Sequence, residues 1–212
     1  MSQASIPAVS PLPARLARLY GGLALYGAGI GLQVESGLGN DPWDVFHQGV
    51  GRWAGLSIGT VIIAVGALVM LVWIPLRQRP GLGTISNVVF LGLFADAAIH
   101  LLPAPGHLVL GWLYVAAGVA CVALATVLYI SAGMGAGPRD GVMTGLVRMG
   151  LSVRLSRFLI EVTVLIAGWL LGGTVGLGTL AFALTIGPLT QLFARWIPLN
   201  TAGSADPLPA RT

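Results

Sequence analysis

Six apolar runs, each near the length of a membrane span, leave this 212-residue chain few structures to fold into. A bilayer core takes roughly 20 helical residues to cross, and only α-helices or closed barrels satisfy their own backbone inside it. The runs lie at about 16–36, 57–76, 82–102, 108–131, 155–173 and 178–197, separated by Pro and Gly clusters such as "RQRPGLG" and "LPAPGH". Hydrophobic residues make up 56% of the chain, charged residues 8%, and the mean hydropathy is +0.88, which excludes an ordinary soluble domain. The expectation is an all-α, polytopic membrane protein.

Charge supports six spans. A basic balance of +4 in a soluble protein would suggest nucleic acid, but here membrane orientation accounts for it, and no polyanionic partner is implied. With the N-terminus cytoplasmic, Arg15, Arg18, Arg77, Arg79, Arg139, Arg148, Arg154, Arg157, Arg195 and Arg211 all fall inside, and only Arg52 falls outside. Arg15 and Arg18 before the first run give it the look of a secretory signal, but the run is as long as a full span and has a counterpart in the second half, so it reads as a retained helix. The tails, 1–14 and 199–212, are rich in Pro, Ser and Ala and are expected to be disordered and cytoplasmic.

The chain also repeats itself. "GLGNDPWDVF" begins at Gly37 and "GMGAGPRDGV" at Gly133, 96 residues later; "RPGLGTISN" from Arg79 is echoed by "VGLGTLAF" from Val175. Each half, about 15–103 and 107–198 of one membrane domain, therefore holds three spans with a glycine-rich loop and short helix after the first. Three is odd, so the second half would lie upside down relative to the first, the inverted-topology repeat of many secondary transporters.

Written as spacing, the motif is Gly-x-Gly-x-x-Pro-x-Asp. Gly37 and Gly133 can end a helix through positive φ, Pro42 and Pro138 suit the first position of a new one, and Asp41 or Gly137 would be the N-cap. Asp44 and Asp140 then sit in first turns, where an acid complements the helix dipole. Helix capping alone could explain them; the functional alternative makes Asp44, Asp140, Pro42, Pro138 and Asn87 part of a substrate path. His47 could pair with Asp44 or face water, and the second is the blander expectation. Asp96 and His100, one turn apart within the third span, are candidates for proton coupling, in competition with a satisfied interhelical hydrogen bond. Glu161 with Arg157 reads as a local ion pair. Gly27 with Gly31 and Gly168 with Gly172 are at the spacing that lets helices pack closely.

Catalytic signals are poor. "GLSIG" at Gly55–Gly59 matches a hydrolase nucleophile elbow, but that motif needs a strand before the serine, and here it opens a membrane helix. The histidines and Cys121 have no metal-ligand spacing, so neither a metal nor another cofactor is expected, and an enzyme is the weaker class. "GLGNDPWDVFHQG", "RPGLGTISN", "GMGAGPRDG" and "GLGTLAFALTIGPLTQ" resemble the YczE-like branch of the YczE/YyaS/YitT-type bacterial integral membrane proteins, over about Leu25 to Trp196. The resemblance implies the bacterial plasma membrane, carries no assigned molecular activity or catalytic residues, and suggests export or support of a secreted metabolite. Arg139 departs from the first copy, where Trp43 stands. The functional expectation is a small secondary transporter or exporter of an unknown small molecule; a non-transporting membrane partner or assembly factor is the alternative. The small chain leaves little room for a deep cavity in a monomer and makes a homodimer an option.

Overall fold

The computed structural model describes residues 11–197. The expectations for the far N-terminal tail, 1–10, and for 198–212 lie outside the described residues. Eight helices follow in order: α1 Leu12–Ser36, α2 Pro42–Ala54, α3 Ile58–Val72, α4 Leu82–Leu101, α5 Leu108–Ser131, α6 Pro138–Arg148, α7 Val153–Leu170 and α8 Leu177–Ala194. No strand occurs among the described residues. Six of the helices coincide with the six apolar runs, and α2 and α6 are the short helices of the duplicated motif.

Among the described residues, α4, α5 and α8 are long and apolar enough to cross a membrane, and α2 with α3 passes as one bent pair, turned by 110°. The other helices are shorter or more polar. α3 has 15 residues and stops at Trp73, two residues before Pro75; α7 carries Arg154, Arg157 and Glu161; α1 is 25 residues long but diluted by Arg15, Arg18, Gln33 and Glu35.

α1 is the central element because glycines on two of its faces admit two neighbours. A Cβ at Gly27 or Gly31 would lie 2.5 or 2.6 Å from the Cβ atoms of Phe94 or Ala98, on α4. On the other face, Gly29 meets Gly118 and Val122 of α5. Where lipid removes the hydrophobic drive between helices, such close approach supplies the packing. Leu19, Leu23, Ile30, Leu91 and Ala95 form the resulting core, with Tyr129 of α5. At the start of α1, the Arg15 guanidinium donates to the carbonyls of Ala132 and Gly133 at 2.8 and 2.7 Å, satisfying the end of α5.

The glycine loops exchange between halves. Gly83 N–H, at the start of α4, donates to Met134 O at 2.7 Å, and Gly178 N–H, at the start of α8, donates to Leu38 O at 2.8 Å. Gly39 and Gly135 hold φ of +117° and +123°, and each lies against the opposite half: Gly39 on Gly176 and Thr179, Gly135 on Gly81 and Thr84. Only glycine combines that conformation with that proximity. These loops set the starting points of α2 and α6.

Candidate functional site

Both short helices begin as the motif predicts. Gly37 ends α1 at φ +66°, Asp41 caps α2 with its Oδ1 accepting from Asp44 N–H at 2.8 Å, and Pro42 takes the first helical position. Gly133 has φ +61°, Gly137 is the N-cap of α6, and Pro138 follows. Both copies start a helix, but only the first carries a side-chain cap, because the N-cap of α6 is a glycine.

The two first turns also meet, and here the copies differ. Asp44 is completely buried and Asp41 is 2% exposed, whereas Asp140 is exposed. Arg139 of α6 reaches between the acids of α2: its guanidinium lies 3.9 Å from Asp44 Oδ1, 4.0 Å from Asp41 Oδ2 and 4.9 Å over the Trp43 ring. Neither ion pair closes to hydrogen-bond distance. His47 is buried, with Nδ1 3.1 Å from Asp44 Oδ1, so it pairs with the acid and does not face water. Two buried atoms of the set, Asp44 Oδ2 and Arg139 Nη2, have no hydrogen-bond partner.

A cavity of about 20 Å³ adjoins the cluster, lined by Trp43, His47, Asn87, Val88, Pro138 and Arg139 among others. It is close to the space one water molecule occupies, roughly 10–15 Å³. Asn87 and Pro138 are thus brought to one place with the neighbours of Asp44. Pro42 starts α2 beside it, while Asp140 turns outward. Around the cluster, α2 is held by Gln48, whose Oε1 accepts from Asn40 Nδ2 and Thr174 N–H at 3.2 and 2.7 Å. α6 is held by Trp73, whose indole N–H donates to Pro138 O at 3.0 Å.

Asp96 and His100 lie elsewhere. Asp96 accepts from Ser57 Oγ at 2.6 Å and Gly59 N–H at 2.7 Å, tying α4 to the first turn of α3, and His100 is exposed. The interhelical hydrogen bond is therefore present. Ser57, the serine of the elbow-like phrase, is the N-cap of α3 and accepts from Thr60 N–H at 3.1 Å. Arg157 and Glu161 form their ion pair at 2.8 Å on an exposed face. Gly168 packs on the Val45–Phe46 backbone, but a Cβ at Gly172 would meet nothing within 4 Å, and the carbonyl of Gly172 accepts from Arg52, so only Gly168 of that pair serves close helix packing.

Sequence reasoning missed Arg139 as the centre of the cluster and Asp41 as its second acid. The available signal was the departure from the repeat itself, a guanidinium where the first copy has an indole.

With this geometry in hand, the relatives are informative. A family of unknown function, DUF6198, matches residues 13–195, all eight helices except Leu12. The chain belongs to this family. It is 41% identical over 172 residues to an uncharacterized protein of Haemophilus influenzae, covering 81% of this chain and 79% of the relative. It is 34% identical over 171 residues to the uncharacterized membrane protein YczE of Bacillus subtilis, covering 79% and 80%, and 25% identical over 179 residues to YyaS of the same organism, covering 81% and 88%. The expected kinship with YczE-like membrane proteins holds. No solved structure matches.

Proposed function

We propose that the protein is a small secondary transporter or exporter in the bacterial plasma membrane, with six spans in two inverted repeats and both termini cytoplasmic. The observation that carries this reading is the meeting of the first turns of α2 and α6, with Arg139 between Asp41 and Asp44 beside a small cavity. Broken helices that start against each other, one from each half, are how transporters of inverted-repeat design build a site between their moving parts. The reciprocal bonds, Gly83 to Met134 and Gly178 to Leu38, favour the same reading, because each half rests on the other through equivalent residues. The arginine distribution favours the orientation.

Pro42 and Pro138 start the two broken segments, and Asp44 and Asn87 contribute polar groups to the path. The test is flux: purified protein in proteoliposomes, challenged with labelled small cations, amino acids and other metabolites. Saturable uptake that disappears in Asp44→Asn at equal incorporation is the expected result. Absence of saturable flux for every compound, with intact folded protein in the vesicles, would leave the non-transporting partner as the better reading.

A further inference from the structure

The cluster at α2 is short of positive charge. Asp41 and Asp44 are two carboxylates, Arg139 is one guanidinium, and His47 is the remaining titratable group in contact with them. Tyr26 of α1 lies within electrostatic reach of both acids, and the exposed Asp140 within reach of Arg139. The other elements bordering the cavity, α3 and α4, offer it apolar side chains, a glycine and Asn87. A buried set of two acids and one guanidinium carries one uncompensated negative charge, which low-dielectric surroundings disfavour. One additional positive charge makes the set neutral.

The same residues have the form of a cation box whose occupant belongs to the chain. A guanidinium stacked on an indole and flanked by two carboxylates is how an organic cation is bound. Yet Arg139 fills the box loosely. It forms no hydrogen bond to either acid, its Nη2 is unpartnered, and its side chain remains 24% exposed, so it can shift aside and still face the carboxylates. Asp44 Oδ2, fully buried, is left free to accept. Among the described residues no three His, Cys, Asp or Glu side chains converge as a metal would require, and one aromatic face suits an organic cation better than a metal.

We propose that the Asp41–Asp44 pair, with Trp43, binds one small organic monocation of guanidinium or alkylammonium type, in exchange for one proton. In the balance the cation takes the Trp43 face while the Arg139 guanidinium shifts aside but stays beside the carboxylates, the one carboxyl proton of the pair leaves to solvent, and the net charge of the cluster, Arg139 still counted, is unchanged. Resting on the transporter reading, this exchange makes the protein a proton-coupled antiporter of organic cations. The binding step itself stands without it.

The test uses the full-length purified protein in detergent, weakly buffered, with a pH-indicator dye and guanidinium chloride at low millimolar concentration as the probe. The expected result is release of up to one proton per chain, and an affinity that falls about tenfold per pH unit once the pair is protonated. Asp44→Asn abolishes the release. Arg139→Ala binds guanidinium at least about tenfold more tightly, a gain that a misfolded variant cannot mimic. Equal release by sodium chloride would overturn the organic cation in favour of an alkali ion. No release by any cation from about pH 5 to 9, with Arg139→Ala no better than wild type, would overturn the site. Proton release without proteoliposome flux would refute transport and keep the site; flux without proton release would do the reverse.

Discussion

Removing the Asp96 carboxylate should destabilise the protein without touching its ligand chemistry. Asp96 holds the first turn of α3 through two bonds, Ser57 Oγ at 2.6 Å and Gly59 N–H at 2.7 Å. Hydrogen bonds to a charged group contribute about 1.5–3 kcal/mol each. Ser57 is exposed and can turn its hydroxyl to Thr60 Oγ1, 2.8 Å away, so its share largely survives in Asp96→Ala. The Gly59 amide has no such substitute, being one of the orphan donors of a helix start. The expected cost of Asp96→Ala is therefore about 2–3 kcal/mol, or a fall of roughly 5–10 °C in melting temperature for a chain of this size. Asp96→Asn keeps one acceptor oxygen for Gly59 and an amide donor for Ser57, and should cost about 1 kcal/mol. Thermal unfolding in detergent measures both, and proton release on guanidinium addition is followed in the same samples. Unchanged melting together with lost proton release in Asp96→Asn would refute the reasoning and move the coupling role to Asp96 and His100.

Other consequences are local. Gly141→Ala places a Cβ inside the Trp73 indole, so it should cost about 1–3 kcal/mol, and Trp73→Phe in the same chain should recover part of the loss; a thermal double-mutant cycle reads the coupling. Gly39→Ala and Gly135→Ala each combine a disallowed φ with a contact of 2.6 or 2.8 Å, and both should lower the yield of folded, monodisperse protein more than Gly37→Ala, where a Cβ meets nothing within 4 Å. A cysteine introduced at Trp53, which is 78% exposed at the α2–α3 turn, should react with a membrane-impermeant maleimide in whole cells, and one at Met149 should react only after lysis; the reverse pattern would invert the topology.

Helix content was legible because its signals are local. The six apolar runs anticipated six of the helices to within a few residues, with larger shifts only where the run overran a stop at Trp73 or began late, after Pro13. The caps were equally readable: Gly37, Asp41, Pro42, Gly137 and Pro138 occupy the positions their backbone preferences select. What the pattern could not give is which side chains meet across 95 residues of chain. Nothing in the spacing of "GMGAGPRDG" says that Arg139 points toward Asp44 while Asp140 turns to the surface, because that depends on how α6 is rotated about its axis by its contacts with α3.

Those contacts show why two nearly identical phrases produce unlike sites. At equivalent positions of the repeat, two contacts join the halves: Val45 of α2 faces Gly168 of α7, and Gly141 of α6 faces Trp73 at the end of α3. The large residue has changed sides. Placing the bulk on α3 brings the Trp73 indole to Pro138 O and fixes the first turn of α6 from behind, so its next residue, Arg139, reaches across to α2. On the α2 side, small Gly168 lets the Val45–Phe46 backbone sit flush against α7, which buries Asp44 and His47. A symmetric pair of halves would have set two acids against each other, or two indoles. The exchanged bulk and the Trp-to-Arg change instead give one half the carboxylates and the other the guanidinium, and a duplicated capping motif becomes a single charged site.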